Sequence, residues 1–435
     1  MKKILLLVLI ALVILFPTLA SFPPFKQLFL KAVELRMHAT IKADKLRLSW
    51  LGPQQFEGVR FSTPELDGAI QEMTLNKPFW NMGSLPYDLS LTTAQIEVKD
   101  QPLSLTLTNA LIQNQSIQAT GTTKGGSFRL KGTAQDSQNF NLQFSGTNIP
   151  TAPVAWLLHT DLLKIIGPQF SCDATIHDSN DAGSLSIELT SPKARLSLHG
   201  KFTPDVLTLT QPLHATFSLP PELTTAFFKK PTAFWDPITL DIDPKDFSYP
   251  RKFSLSKLQI GNGVISPGRV SLVHPQTMQS LAAWLKNPAL YSPNQLDLWL
   301  TCCPISLHQG SLDFGRVDAL VAEQLHLAAW GNINLLTDRV NATLGLPAGV
   351  LAKNFGIQGL SSNYLLQVPV TGTLENPQVD TSTGGTKIAA LIASQVAKST
   401  PSQVGQIFGT VVSGVTQVAQ PPTPPPCQTP FPWQR

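Results

Sequence analysis

Eight histidines (His38, His159, His177, His199, His214, His274, His308 and His326) are the side chains best suited to acid–base chemistry or metal ligation near neutral pH. None opens an HExxH pair, and no cysteine or carboxylate recurs beside them at ligand spacing. His177-Asp178 would need a serine brought close by the fold to build a nucleophilic triad, and the GxSxG frame of a nucleophile elbow is missing. Gly384-Gly385-Thr386-Lys387 lacks the xxxxGK[ST] frame of a phosphate loop, and Gly261-Asn262-Gly263 reads as a turn. Four cysteines, Cys172, Cys302, Cys303 and Cys427, are too few and too irregular for a disulfide scaffold or a CxxC zinc site. A single bridge from Cys172 to Cys302 or Cys303, or buried free thiols, are the two readings they allow. The expectation is a protein that is not an enzyme and holds no cofactor and no metal.

The elements that would carry such side chains are weakly charged. Only 14% of the 435 residues are charged while 42% are hydrophobic, so Ser, Thr, Gln and Asn carry the polar balance. The net charge of +4 is scattered, which argues against nucleic acid as a partner and leaves no basic block for anionic headgroups.

The N-terminus carries the strongest single signal. Met1-Lys2-Lys3 precedes an unbroken apolar run: Ile4, Leu5, Leu6, Leu7, Val8, Leu9, Ile10, Ala11, Leu12, Val13, Ile14, Leu15 and Phe16. A basic flank before such a run holds the N-terminus in the cytoplasm while the following chain crosses the membrane. Residues 1–22 are therefore expected to be a membrane anchor or a signal peptide, since Thr18-x-Ala20 also suits a cleavage site. Residues 23–40 follow as a short amphipathic helix, with Phe25, Leu28, Phe29, Ala32 and Val33 at helical spacing.

From Ile41 the period changes to two. Apolar residues alternate with Ser, Thr, Gln or a charge in Lys45 to Leu51, Phe56 to Phe61, Leu103 to Leu107, Phe128 to Leu130, Leu142 to Phe144 and Leu185 to Leu189. The pattern continues through Ile238 to Ile242, Leu296 to Leu300, Ile305 to Leu307 and Ile333 to Leu335. Strict alternation wets one face and leaves the other apolar, the mark of antiparallel sheet. Turn signals separate the runs at Lys124-Gly125-Gly126, Asp181-Ala182-Gly183 and Gln309-Gly310. The helical patterns in this body, Pro153 to Ile166, Gln276 to Lys286 and Pro220 to Phe228, are too few to cover a dozen strands. Either the sheet folds over on itself, or it forms a trough whose lining is left for something else. The body is expected to span 41–380, with weak amphipathic helices over 381–420 and a Pro-rich flexible tail over 421–435.

Two blocks carry more than pattern. Lys42-Ala43-Asp44-Lys45-Leu46-Arg47-Leu48-Ser49-Trp50-Leu51-Gly52-Pro53, behind a lone membrane segment and a short helix, resembles the entry strands of the AsmA-like family, related to TamB-type proteins. Val368-Pro369-Val370-Thr371-Gly372-Thr373-Leu374-Glu375-Asn376-Pro377-Gln378-Val379-Asp380 is similar to the closing strand of that family. The resemblance implies a bacterial inner-membrane protein, single-pass, with its C-terminal body in the periplasm. It further implies a long, curved antiparallel sheet forming a taco-like groove for phospholipid on the way to the outer membrane, with an outer-membrane or envelope protein as a further partner. No catalytic residue comes with it. The candidate lining is Leu103, Leu105, Leu107, Leu185, Ile187, Leu189, Ile238, Leu240, Leu298 and Leu335. The competing expectation is an envelope adaptor, or an assembly factor for outer-membrane proteins, with a filled sandwich core.

Overall fold

The computed structural model describes residues 26–27, 30–31, 34, 39–64, 66–81, 88–99, 103–113, 115–136, 138–157, 162–221, 224, 232–273, 283–285, 295–399, 422–425 and 427. The apolar run Ile4 to Phe16 and the helical pattern Ser402 to Val418 lie outside them. Among the described residues the chain is mainly β: 26 strands pair antiparallel in open sheet, with few helices. It divides into two compact units, Met1–Pro192 with Lys201–Thr203, and Lys193–Gly200 with Pro204–Arg435.

The first unit is a meander. Its strands are β1 (Thr40–Lys42), β2 (Lys45–Arg47), β3 (Gln54–Ser62), β4 (Leu66–Leu75), β5 (Leu89–Val98) and β6 (Leu103–Gln113). Then come β7 (Ser116–Thr123), β8 (Gly126–Ala134), β9 (Asn139–Pro150), β10 (Gln169–Ser179) and β11 (Ala182–Thr190). β1 and β2 both pair with β3, and from β3 onward each strand pairs with the next. Alternating Leu/Ile with Ser/Thr/Gln suits such hairpins because successive side chains point to opposite faces. The turn after β10 is Asn180-Asp181, both at positive φ (55° and 64°), a twist that matches the flanking strands. It lies one residue earlier than the Asp181-Ala182-Gly183 expectation. The single helix expected over Pro153 to Ile166 is replaced by α1 (Thr151–Leu157) and α2 (Leu162–Ile166), joining β9 to β10. At the other end, Leu30, Leu46, Leu48, Phe56 and Val59 pack into a small core. Beside it the fully buried Gln54 side chain donates to the carbonyls of Ser49, Gly52 and Lys77 and accepts from the Ser49 N–H, so no polar atom is stranded.

The second unit is less sequential. Its strands are β12 (Ala194–Phe202, ending in the first unit's residues), β13 (Val206–Leu209), β14 (Leu213–Phe217), β15 (Thr232–Phe234), β16 (Ile238–Ile242) and β17 (Tyr249–Pro250). They continue with β18 (Ile260–Ser266), β19 (Gly268–Val273), β20 (Gln295–Leu300), β21 (Cys303–His308), β22 (Ser311–Val321) and β23 (Leu325–Asn334). β24 (Arg339–Pro347), α3 (Ala348–Phe355), β25 (Leu365–Thr373), β26 (Pro377–Val379) and α4 (Thr381–Ser399) close it. Strand β22 divides its partners: residues 311–314 pair with β21 and residues 319–321 with β20, on either side of a bulge. Gly261-Asn262-Gly263, expected as a turn, lies inside β18 at a register shift, where it bends the strand.

Helices α3 and α4 close the main core, setting Val350, Leu351, Ile388 and Leu391 against Leu296, Val321, Leu325, Leu346, Leu366 and Val368. Helix α4 begins at Thr381 because Asp380 caps it, accepting from the Thr383 N–H at 3.0 Å and from the Ser382 and Thr383 hydroxyls. Gly384-Gly385-Thr386-Lys387 is thereby part of a helix.

The bridge expected from Cys172 is corrected, whereas the free-thiol reading holds for Cys172 and Cys303. Cys302 is bridged to Cys427, with Cα atoms 5.8 Å apart, and Cys172 is free. Cys172 faces Gly146 and Leu189 across its strand, with no thiol opposite. The bridge ties Cys427, in the Pro-rich segment, to Cys302 in the link between β20 and β21.

Candidate functional site

Residues directly opposite each other in a ladder share a face, so the registers of the first unit can be followed from strand to strand. One row runs Ala94, Leu107, Gly121, Phe128, Gly146, Cys172, Leu189. The next runs Leu91, Ala110, Ala119, Leu130, Phe144, Ala174, Ile187, and the next Leu89, Ile112, Ile117, Gly132, Leu142, Ile176, Leu185. Three adjacent rows across the seven strands β5–β11 are therefore apolar or glycine throughout. The opposite face presents Thr106, Gln118, Thr120, Arg129, Lys131, Gln143, Ser145, Thr175, Ser186 and Glu188.

Among the described residues no packed cluster comparable to the cores described above lies on the apolar face. From Asp88 to Pro192 the buried hydrophobic residues among those described are Ala94, Ile149, Ile166 and Phe170, three of them gathered where α1 and α2 meet the sheet. Leu105, Leu107, Leu130, Leu142, Phe144, Ile176, Leu185, Ile187 and Leu189 are half-buried. The aromatic rings lie down. A Cβ on Gly121 would stand 2.5 Å from Cζ of Phe128, so that ring occupies the space over the glycine. Phe128 and Phe144 then stack, with centroids 6.4 Å apart and planes at 21°. Burial, with Asp173 second, pushes the Cys172 thiol up, so it remains a neutral apolar group on this face.

Of the candidate lining, Leu105 and Leu107 on β6 and Leu185, Ile187 and Leu189 on β11 are brought onto this one face. Leu103 stands opposite Val98 in the same register. The rest lie in the second unit. Ile238 is buried at 3% exposure, Leu240 packs on a core of Leu209, Leu213, Ile242 and Phe247, and Leu298 packs on the main core. Leu335 lies one residue past β23, in the turn, its N–H donating to the Gly310 carbonyl at 2.8 Å. The candidate lining omits Phe128, Leu130, Leu142, Phe144, Ala174 and Ile176, although their alternation is as regular as that of Leu103 to Leu107; only the register shows that they share its face.

Two concavities elsewhere carry charged side chains among their lining. One of about 410 Å³ is lined by Lys42, Arg60, Asp67 and Glu97, and one of about 450 Å³ by Arg316, His326, Lys353, Asn354 and Pro424. In the second, Arg316 is already paired with Asp318 at 3.0 Å, and desolvation of that carboxyl is outweighed by its His326 and Arg316 contacts, which hold it below the usual carboxylate range. Among the described residues no cluster of His, Cys, Asp and Glu is arranged to hold a metal, and no helix is long and apolar enough to cross a membrane. Comparison with protein-family models, with curated proteins and with solved structures finds no match.

Proposed function

We propose that the protein is a membrane-anchored envelope protein whose apolar sheet face shelters phospholipid between inner and outer membrane, without chemistry of its own. The carrying observation is the apolar face of β5–β11, continuous in register and half-buried, with no packed core upon it among the described residues. An acyl chain exposed to water costs about 0.8 kcal/mol per CH₂, so a sixteen-carbon chain needs a route worth roughly 13 kcal/mol. A floor of leucines, isoleucines and flat-lying rings supplies one. The apolar run Ile4 to Phe16 and the AsmA-like blocks at Lys42 to Pro53 and Val368 to Asp380 support the inner-membrane, periplasm-facing placement.

The second unit favours a different reading, an envelope adaptor or assembly factor with a filled core, because Ile238 and Leu298 sit in packed clusters. Native mass spectrometry of the full chain after gentle extraction separates the two. Co-purifying phospholipid is the expected result; repeatedly lipid-free spectra would withdraw the carrier in favour of the adaptor.

A further inference from the structure

Asp178 is the one carboxylate on the apolar face of strands β3–β11 among the described residues. It follows Ile176 on β10, one step beyond the row of Leu142, Ile176 and Leu185. Its Oδ1 is shut from solvent and accepts no hydrogen bond, whereas buried carboxylate oxygens are ordinarily satisfied. Its cross-strand neighbours are Phe140 on β9 and Gly183 on β11. Phe202 lies against the same spot: its Cζ is 2.9 Å from where a Cβ on Gly183 would stand. An unpaired carboxylate oxygen with phenyl rings at its sides, at the end of an apolar floor, is the chemistry that recognises an alkylammonium: N–H donors for the oxygen and a cation for the ring faces.

We propose that Asp178, with Phe140 and Phe202, is a headgroup site that selects amine-bearing phospholipids, the acyl chains lying along the leucine and isoleucine rows. This rests on the lipid-sheltering reading of the face. A glycerol headgroup has no cation to offer, would leave Oδ1 orphaned and would bring its phosphate toward a like charge, so the site discriminates by headgroup and not by chain.

The test uses the full chain reconstituted in nanodiscs containing equal amounts of phosphatidylethanolamine and phosphatidylglycerol, with bound lipid read by native mass spectrometry. The wild-type chain is expected to enrich the ethanolamine lipid about fivefold or more over the glycerol lipid. Asp178→Asn, of the same shape, should bring that ratio to that of the nanodisc. Phe202→Leu should reduce the ratio in part. An unaltered ratio in Asp178→Asn overturns the headgroup site and leaves lipid sheltering standing; a wild-type chain that carries no lipid overturns both.

Discussion

Phe128 lies over Gly121, its partner on the neighbouring strand, in the space a side chain would otherwise fill. Substituting Gly121→Val therefore brings Cβ against both the ring and, at 2.6 Å, the Thr106 carbonyl, which belongs to the backbone and cannot turn aside. We expect a loss of about 1–3 kcal/mol in denaturant unfolding. An unchanged midpoint would show that the ring does not occupy that space.

Aspartate substitutions divide the apolar positions by their surroundings. Leu105→Asp and Ile187→Asp place a carboxylate on a half-buried face that water or headgroups can reach, so the chain should stay folded and lose bound lipid. Ile238→Asp buries one at a site only 3% exposed, at a cost of at least several kcal/mol, and should unfold the second unit. Circular dichroism with lipid analysis of the three variants reads the difference; unfolding of all three would mean that the first unit's face is covered.

The strands were legible in the sequence because period two is a local property: Leu103 to Leu107 and Leu185 to Leu189 alternate whatever lies opposite them. The rows were not, since whether Leu107 and Leu189 share a face depends on every register between them, and bulges such as that between Leu107 and Asn109 shift it. Helix α3 went unseen for a related reason. Ala-Gly-Val-Leu-Ala-Lys-Asn-Phe has weak helical propensity and no side-chain cap, and it is the burial of Val350 and Leu351 that holds it. Gly372 and Pro377 could be placed from chemistry alone: the first takes φ of 105° and the second opens β26, where a missing N–H does least harm.

The disulfide makes a separate prediction. Cys302 and Cys427 are 125 residues apart, a span for which loop-closure entropy gives about 5 kcal/mol. Cys427→Ser should lower the stability of the second unit by about 3–5 kcal/mol and expose the Pro422 to Pro425 segment to limited proteolysis. Buried Cys303, its thiol pushed up to about 11 by desolvation, should not substitute for Cys302 as the partner. Equal unfolding curves and equal cleavage would show that the bridge is not formed in the folded chain.

Asp380 gives the cap of α4 a pH signature. The Ser382 hydroxyl, followed by the Thr383 N–H and hydroxyl, holds its carboxyl down at about 2 against an ordinary 3.8. A lowered folded value means that the stabilisation is complete above the ordinary value and is lost as pH falls from about 4 through about 2. Thermal unfolding followed across that window should show the loss in the wild-type chain and a flatter profile in Asp380→Asn; identical profiles would remove the carboxylate from the cap.

The strand order of the first unit also sets an order in time. Each strand from β4 to β11 finds its partner in the one made just before it, so ladders can close one hairpin after another as residues are delivered from the N-terminus, with little chain entropy lost at each step. The second unit has no such freedom. β18 waits for β21, β20 waits for β22, and Cys302 waits for a cysteine near the end of the chain. One half can grow by zippering at the rate of supply, and the other must hold some strand edges open, such as the second edges of β18 and β20, until later strands arrive.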